Sequence, residues 1–354
     1  MKVAQQSPTS DPEPLVEVTR GSLTESRHRG HIAAVEPPAN MVAQLGTPEV
    51  VTYLRSSAKP HQTIPLIVSG AADRFGFTSA EIALACASHS GEEIHVRTVK
   101  SMLQKVGLPP SALKCGTHEP FSHEVSRKLR ESGKEPDVLQ NNCSGKHAGM
   151  LALALHLGAP TETYDRPEHP VQLAIAGTVS AFSDTPVEEL TTAIDGCGVP
   201  VFAVSVKAMA LMYLRLVAPP SDFDETTGKA CERVVAAMIR YPELIGGKKG
   251  RLDSEIIRAG KERLISKVGA EGVYTLGVLP CAEWPRGLGF ALKIEDGDDH
   301  RARPTVVIES LRQLGILKDE ALEAVAQYSF FHVRNHQREP VGEVRAAFEL
   351  KRID

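Results

Sequence analysis

Three observations predict an α+β fold. Strand-like segments gather at the two ends of the chain, and a long middle carries apolar residues at helical spacing. The 354 residues are also 42% hydrophobic and 24% charged, enough to bury a large core. The economical arrangement is one antiparallel sheet built from N- and C-terminal strands and flanked by helices, with the helical middle inserted as a lobe beside it. The expected boundaries are a disordered lead-in over residues 1–13 and a single domain over 14–354. Within that domain the sheet lobe covers about 14–70 and 265–354, and the helical lobe about 71–264.

The lead-in MKVAQQSPTSDPE is rich in Pro, Ser, Gln and acidic residues. PLVEVTRG and HRGHIAAVE then read as two strands, and LGTPEVVTYLR is partly extended. A helix is expected to start at Ser56 and Ser57, where Pro60 suits a first turn. SAEIALACASHS, with Ser79 as N-cap, and EEIHVRTVKSMLQKVG, closing on Gly107, continue the helical series. HEVSRKLRESG, GKHAGMLALALHLG, HPVQLAIAGTVSAF, KAMALMYLRLVA and TGKACERVVAAMIRYP follow. After about residue 265 the texture changes: EGVYTLGVLP and GLGFALKIEDGD read as strands, RPTVVIESLRQLG and KDEALEAVAQYS as helices, and GEVRAAFELKRI as a closing strand.

A net charge of −4 without a basic stripe argues against nucleic acid and anionic membrane surfaces as partners. No run approaches the roughly 20 apolar residues of a membrane span. The N-terminus lacks the apolar core of a secretory signal. Six widely spaced cysteines therefore read as free thiols or ligands, and the cytoplasm is the expected compartment.

Two clusters carry candidate chemistry. Ser56-Ser57-Ala58-Lys59 is an S-x-x-K at a helix start, where positions i and i+3 share a face and an amine can serve as base to a hydroxyl. The same arrangement occurs in class A β-lactamases. A second copy, Ser111-Ala112-Leu113-Lys114, has a poor helical context. Ser88 ends a helical pattern, and Lys267-Val268-Gly269 precedes the first late strand, as K-T-G lies on a strand in β-lactamase-like enzymes. The second cluster joins Cys143, Lys146 and His147 with Asp195 and Cys197. Two thiolates suit zinc, although buried cysteine is also common without a metal.

RSSAKP (55–60), CASHSGE (86–92), CGTHEP (115–120), NCSGKHAGML (142–151), DGCGVP (195–200), SKVGAEGVY (266–274) and GLGFALKIEDGD (287–298) occur in order along the chain. Together they resemble the asparaginase II family, the Rhizobium-type or class 3 L-asparaginases, from about residue 14 to the C-terminus. The resemblance implies a fold similar to serine β-lactamases and glutaminases, a homodimer, and hydrolysis of L-asparagine to aspartate and ammonia. It further implies two Ser–Lys pairs, Ser56 with Lys59 and Ser88 with Lys267, either serine being open as nucleophile. A nearby zinc would be held by Cys143, Lys146 and Cys197. Arg55, His89 and Asp195 are the expected substrate contacts, Asp195 matching a family aspartate that touches substrate or the metal shell. The chain departs from the Rhizobium-type pattern at Asn141 and near Asp253, where that pattern has cysteine, and at Ile194, where it has threonine. At Gly198 the pattern often has asparagine. Two other classes stay open: a glutaminase or other amidohydrolase on the same scaffold, and a zinc-containing amino-acid-binding protein without catalysis.

Overall fold

The computed structural model describes residues 11–353. The first ten residues of the expected lead-in lie outside the described residues, and Glu13 already belongs to a strand. The chain divides into two compact units. The first comprises the chain up to Ser57, Ala203–Pro220 and Glu255 onward; the second comprises Ala58–Phe202 and Ser221–Ser254. The strands are β1 Glu13–Arg20, β2 Leu23–Glu36, β3 Asn40–Leu45, β4 Val51–Tyr53, β5 Thr191–Ile194, β6 Pro200–Ser205, β7 Leu264–Val268, β8 Val273–Val278, β9 Leu288–Ile294, β10 Phe331–Arg334, β11 Pro340–Ala346 and β12 Lys351–Arg352.

In the first unit, nine of these strands form one sheet in the order β10-β11-β1-β2-β9-β8-β7, with β3 pairing β2 and β12. Its ladders are antiparallel, and they join the two ends of the chain as the strand distribution predicts. Val16 lies opposite Ala346, and Ile32 opposite Leu292. Every position of β8 is buried, which marks a strand covered on both faces.

The helix Val206–Val217 packs on β2, β8 and β9. The sequence reading counts it in the helical lobe, but its buried positions run almost all the way round, as befits a helix laid against a sheet core. Gly277 and Gly289 face each other across β8 and β9 and open the space it needs. A Cβ on Gly289 would overlap the Ala210 carbonyl oxygen, and one on Gly277 would crowd the Tyr213 carbonyl. Gly289→Ala is therefore expected to cost about 1–3 kcal/mol, the usual range for overpacking a filled core. A urea midpoint equal to that of the parent would contradict this close approach.

The second unit is helical. Lys59–Val68, Ser79–Ala85, Glu93–Val106, Ser144–His156 and Glu225–Arg240 pack on one another. The helix Ser79–Ala85 starts one residue earlier than expected, with Thr78 rather than Ser79 as its cap. Thr78 Oγ1 accepts the Glu81 N–H at 3.4 Å, and Glu81 Oε2 accepts the Thr78 N–H at 2.7 Å. This reciprocal pair needs an acid three residues after the cap, and that spacing selects Thr78. The helix Ser144–His156 is buried from Ser144 to Ala154. Gly145 lets its first turn press on the helix Ser79–Ala85, because a Cβ there would collide with the Leu84 carbonyl.

Several elements escape the sequence reading. Strands β3, β5, β6, β7 and β10 and the helix Leu252–Ala259 are additional, and the expected closing strand is split into β11 and β12. Lys267 lies within β7, opposite Thr275, rather than before the first late strand.

Candidate functional site

The second unit brings together a lysine and a serine that lie far apart in sequence. Lys59 opens the helix Lys59–Val68, with Pro60 in the first turn, and it is 1% exposed. Its Nζ reaches Ala87 O at 2.7 Å, Ser88 Oγ at 2.9 Å and Asn142 O at 3.3 Å. The i, i+3 argument pairs Lys59 with Ser56; within the second unit the amine bonds to Ser88. Ser56 sits on the 3-10 turn Arg55–Ala58, in the first unit, and the α-helix begins only at Lys59.

The contact pattern has a chemical consequence. Two of the Lys59 contacts are carbonyls, which can only accept. They take two N–H bonds, so in a neutral amine the lone pair is left for the Ser88 hydroxyl. In that state the amine can take up the hydroxyl proton.

Ser88 belongs to the irregular segment between the helices Ser79–Ala85 and Glu93–Val106 and is 3% exposed. Its neighbour His89, an expected substrate contact, is fully buried with both ring nitrogens engaged. Nδ1 accepts the Gly91 N–H at 3.1 Å, which leaves Nε2–H to donate to Ser144 Oγ at 2.9 Å. Burial foremost, then the adjacent His95 ring, holds its pKa well below the ordinary imidazole range. His89 thus joins the Ser88 segment to the helix Ser144–His156 from within the second unit.

The thiol cluster also forms within the second unit. Cys143, Lys146 and Cys197 are 4%, 4% and 6% exposed, and Lys146 Nζ donates to Cys197 Sγ at 3.0 Å. The Cys143 thiol donates to Cys197, which holds Cys197 far below the ordinary thiol pKa, with Lys146 and His147 acting in the same direction. The same bond, together with burial, pushes Cys143 well above it. Burial works to lower Lys146, but Cys197, Cys143 and Asp195 outweigh it and raise the amine above its usual value. Asp195 stands at the rim, with Oδ2 3.9 Å from Cys197 Sγ and Oδ1 accepting the Gly196 N–H.

Among the described residues, no group of three or more His, Cys, Asp and Glu side chains is arranged to hold a metal ion. The convergent set here instead consists of two sulfurs and a lysine nitrogen. The two buried thiols fit the sulfur preference of zinc, and the lysine amine would join them only after losing a proton. His147 adjoins them, with its Nδ1 paired with the Tyr164 hydroxyl at 2.7 Å. Tyr164 in turn accepts the Lys114 N–H at 2.8 Å.

Two expected residues lie in the first unit with Ser56. Arg55 has a φ of 51°, unusual for a residue with a Cβ, and its guanidinium is 4.0 Å from Glu271. Strained residues of this kind cluster at functional positions. Lys267 is fully buried in β7, with Nζ donating to Val268 O at 3.2 Å.

Sequence reasoning missed several residues of the second-unit cluster. Asn141 ties the segment before the helix Ser144–His156 to Cys115 O and Gly116 O at 2.9 and 3.1 Å, while its Oδ1 accepts the Cys143 N–H at 2.8 Å. Its departure from the Rhizobium-type pattern was the only signal for it. Tyr164 and Arg251 stand in segments without a motif, and nothing local singles them out.

No curated protein matches the chain. The profile of the L-asparaginase II family matches residues 16–346. Among solved structures, the chain is similar to a probable glutaminase from Bacillus subtilis complexed with 6-diazo-5-oxo-L-norleucine, at 14% identity over 82% of this chain and 86% of that one, with a TM-score of 0.40. A Bacillus glutaminase aligns at 14% identity over 82% and 92%, with a TM-score of 0.41. A β-lactamase from Burkholderia ambifaria aligns at 14% identity over 85% and 93%, with a TM-score of 0.35.

Proposed function

This chain belongs to the L-asparaginase II family and is an amidohydrolase, and on that premise we propose that it hydrolyses the side-chain amide of L-asparagine with Ser88 as nucleophile and Lys59 as its base. The observation that carries this reading is the 2.9 Å contact between Lys59 Nζ and Ser88 Oγ, with two carbonyls on the remaining amine hydrogens. Ser88 Oγ attacks the amide carbon as its proton passes to Lys59. The tetrahedral adduct collapses when Lys59 returns that proton to the leaving nitrogen, releasing ammonia and leaving a β-aspartyl ester on Ser88. Water, deprotonated by Lys59, then cleaves the ester to aspartate and restores the serine.

The roles that the resemblance implies for Ser56, Lys267, Arg55 and Asp195 belong to the same proposal, and alanine variants of each test whether turnover needs them. Cys143, Lys146 and Cys197 would hold zinc, which when bound supplies Lewis acidity toward a substrate oxygen. Cys143→Ser is expected to lower the zinc content measured by elemental analysis from about one ion per chain to near none, since thiolate is the stronger zinc donor. Equal zinc in parent and variant would remove Cys143 from the ligand set.

The assay for the reaction is ammonia release from L-asparagine, with L-glutamine as the paired substrate. Rapid release from asparagine alone supports the reading; release from glutamine alone assigns the protein to the glutaminases. Binding of asparagine without ammonia would indicate a non-catalytic protein. Among the described residues, no helix is long and apolar enough to cross a membrane. The family resemblance extends the proposal to a cytoplasmic homodimer. Light scattering should then give twice the 38.2 kDa chain mass, and a single-chain mass would contradict it. Recovery in the membrane or secreted fraction of its own cells would contradict the compartment.

A further inference from the structure

We propose that Arg251 is a positioning residue for the reaction, setting the backbone of Ser88 so that its hydroxyl meets Lys59. The inference rests on the reading of Ser88 as nucleophile.

The segment from Ala87 to Glu92 has no helix or strand ladder of its own, so its position comes from tertiary bonds. Most of them come from the stretch at Ile245–Arg251. The Ser88 N–H donates to Ile245 O at 2.9 Å, and Ser90 Oγ donates to Gly246 O in a short bond. The Lys248 N–H donates to Glu92 Oε1 at 3.2 Å. Gly247 makes the approach possible, because a Cβ there would run into Ser90 Oγ and Glu92 Oε1.

Arg251 completes the clamp with a side chain. Its Nη2 donates to the Ser88 carbonyl at 2.8 Å, and its Nη1 donates to Ser90 Oγ at 3.3 Å. The guanidinium also lies 5.3 Å from the centre of the Phe121 ring, which limits where its plane can turn. Both backbone polar groups of Ser88 are thereby tied to this one stretch, the N–H by Ile245 and the carbonyl by Arg251. Rotation of that peptide would carry Oγ away from the lysine.

A planar fork with two donors suits this task, since one group sets both residue 88 and residue 90. A charged donor also forms the stronger kind of hydrogen bond to a carbonyl. Arg251 acts through Ser88 here and is assigned no contact with substrate.

The test compares Arg251→Gln, Arg251→Lys and Ser88→Ala with the parent full-length chain, by steady-state ammonia release and thermal midpoint. For Arg251→Gln, kcat is expected to fall about 100-fold, the scale of a misplacement of about 1 Å at a reacting group. KM should stay within about twofold, because a group that only places the nucleophile contributes no ground-state binding. Arg251→Lys should recover part of kcat, since an amine can reach the Ser88 carbonyl but cannot hold Ser90 as well. If Arg251→Gln does not fold, the kcat of a folded Arg251→Lys against that of the parent decides.

An unchanged kcat in a folded variant overturns the proposal, as does a lysine that does no better than glutamine. A rise in KM with kcat retained would also overturn it, since Arg251 would then be a substrate contact. Activity retained in Ser88→Ala instead defeats the reading of the nucleophile. Loss of activity in Ser88→Ala with normal Arg251 variants defeats the positioning role alone.

Discussion

Ser88→Ala is expected to reduce asparagine turnover by about 10^4-fold or more, on the scale seen when a serine nucleophile is deleted from an acyl-transfer site. The change removes one oxygen from a buried side chain and leaves both backbone bonds of residue 88 in place. Folding should therefore be retained, and a thermal midpoint close to that of the parent checks this. The variant keeps substrate-binding groups, so asparagine should still bind, as isothermal titration would register. Turnover within tenfold of the parent would show that another group attacks the amide.

Lys59→Met is expected to lower kcat by about 10^2–10^4-fold, the range for removing a positioned base. Methionine has comparable length and no donor, so the loss isolates the proton-transfer role from side-chain volume. It also strands the Ala87 and Asn142 carbonyls, which the amine now satisfies. Each unsatisfied buried acceptor costs about 1–3 kcal/mol. A lowered urea midpoint should accompany the loss of turnover, and assays belong at a temperature where both proteins are folded. Because Lys59 and Ser88 act as a unit, the double variant should be about as slow as the slower single one. Additive losses would mean that the two residues work independently.

The sequence carries the outline of this fold because its strongest signals are local. Strand-like segments at both chain ends correspond to the sheet in which β1 and β2 pair with β11 and β9. Glycine at 107 marks a helix end by its own capping chemistry. What it conceals is non-local. The Lys59–Ser88 bond spans 29 residues, whereas the S-x-x-K argument weighs only neighbours on one helical turn. That argument also assumes an α-helix at Ser56, where the backbone is a 3-10 turn.

Short apolar strands such as PVFAVS and LISKV carry no period that separates them from buried helix. The thiol cluster was legible through residue type, as Cys143, Lys146 and Cys197 converge in the structure. The burial of His89 was not: a histidine between two serines reads as polar and accessible until the helix Ser144–His156 is packed over it.

The residue that carries the acyl group is the most direct test of the account. Rapid acid quench of the protein during asparagine turnover, followed by intact and peptide mass spectrometry, locates it. The account predicts a single aspartyl adduct on the peptide containing Ser88, formed within the first turnover and absent from Ser88→Ala. An adduct on the peptide containing Ser56, or on a cysteine, would contradict the assignment of Ser88 and Lys59 as the reacting pair.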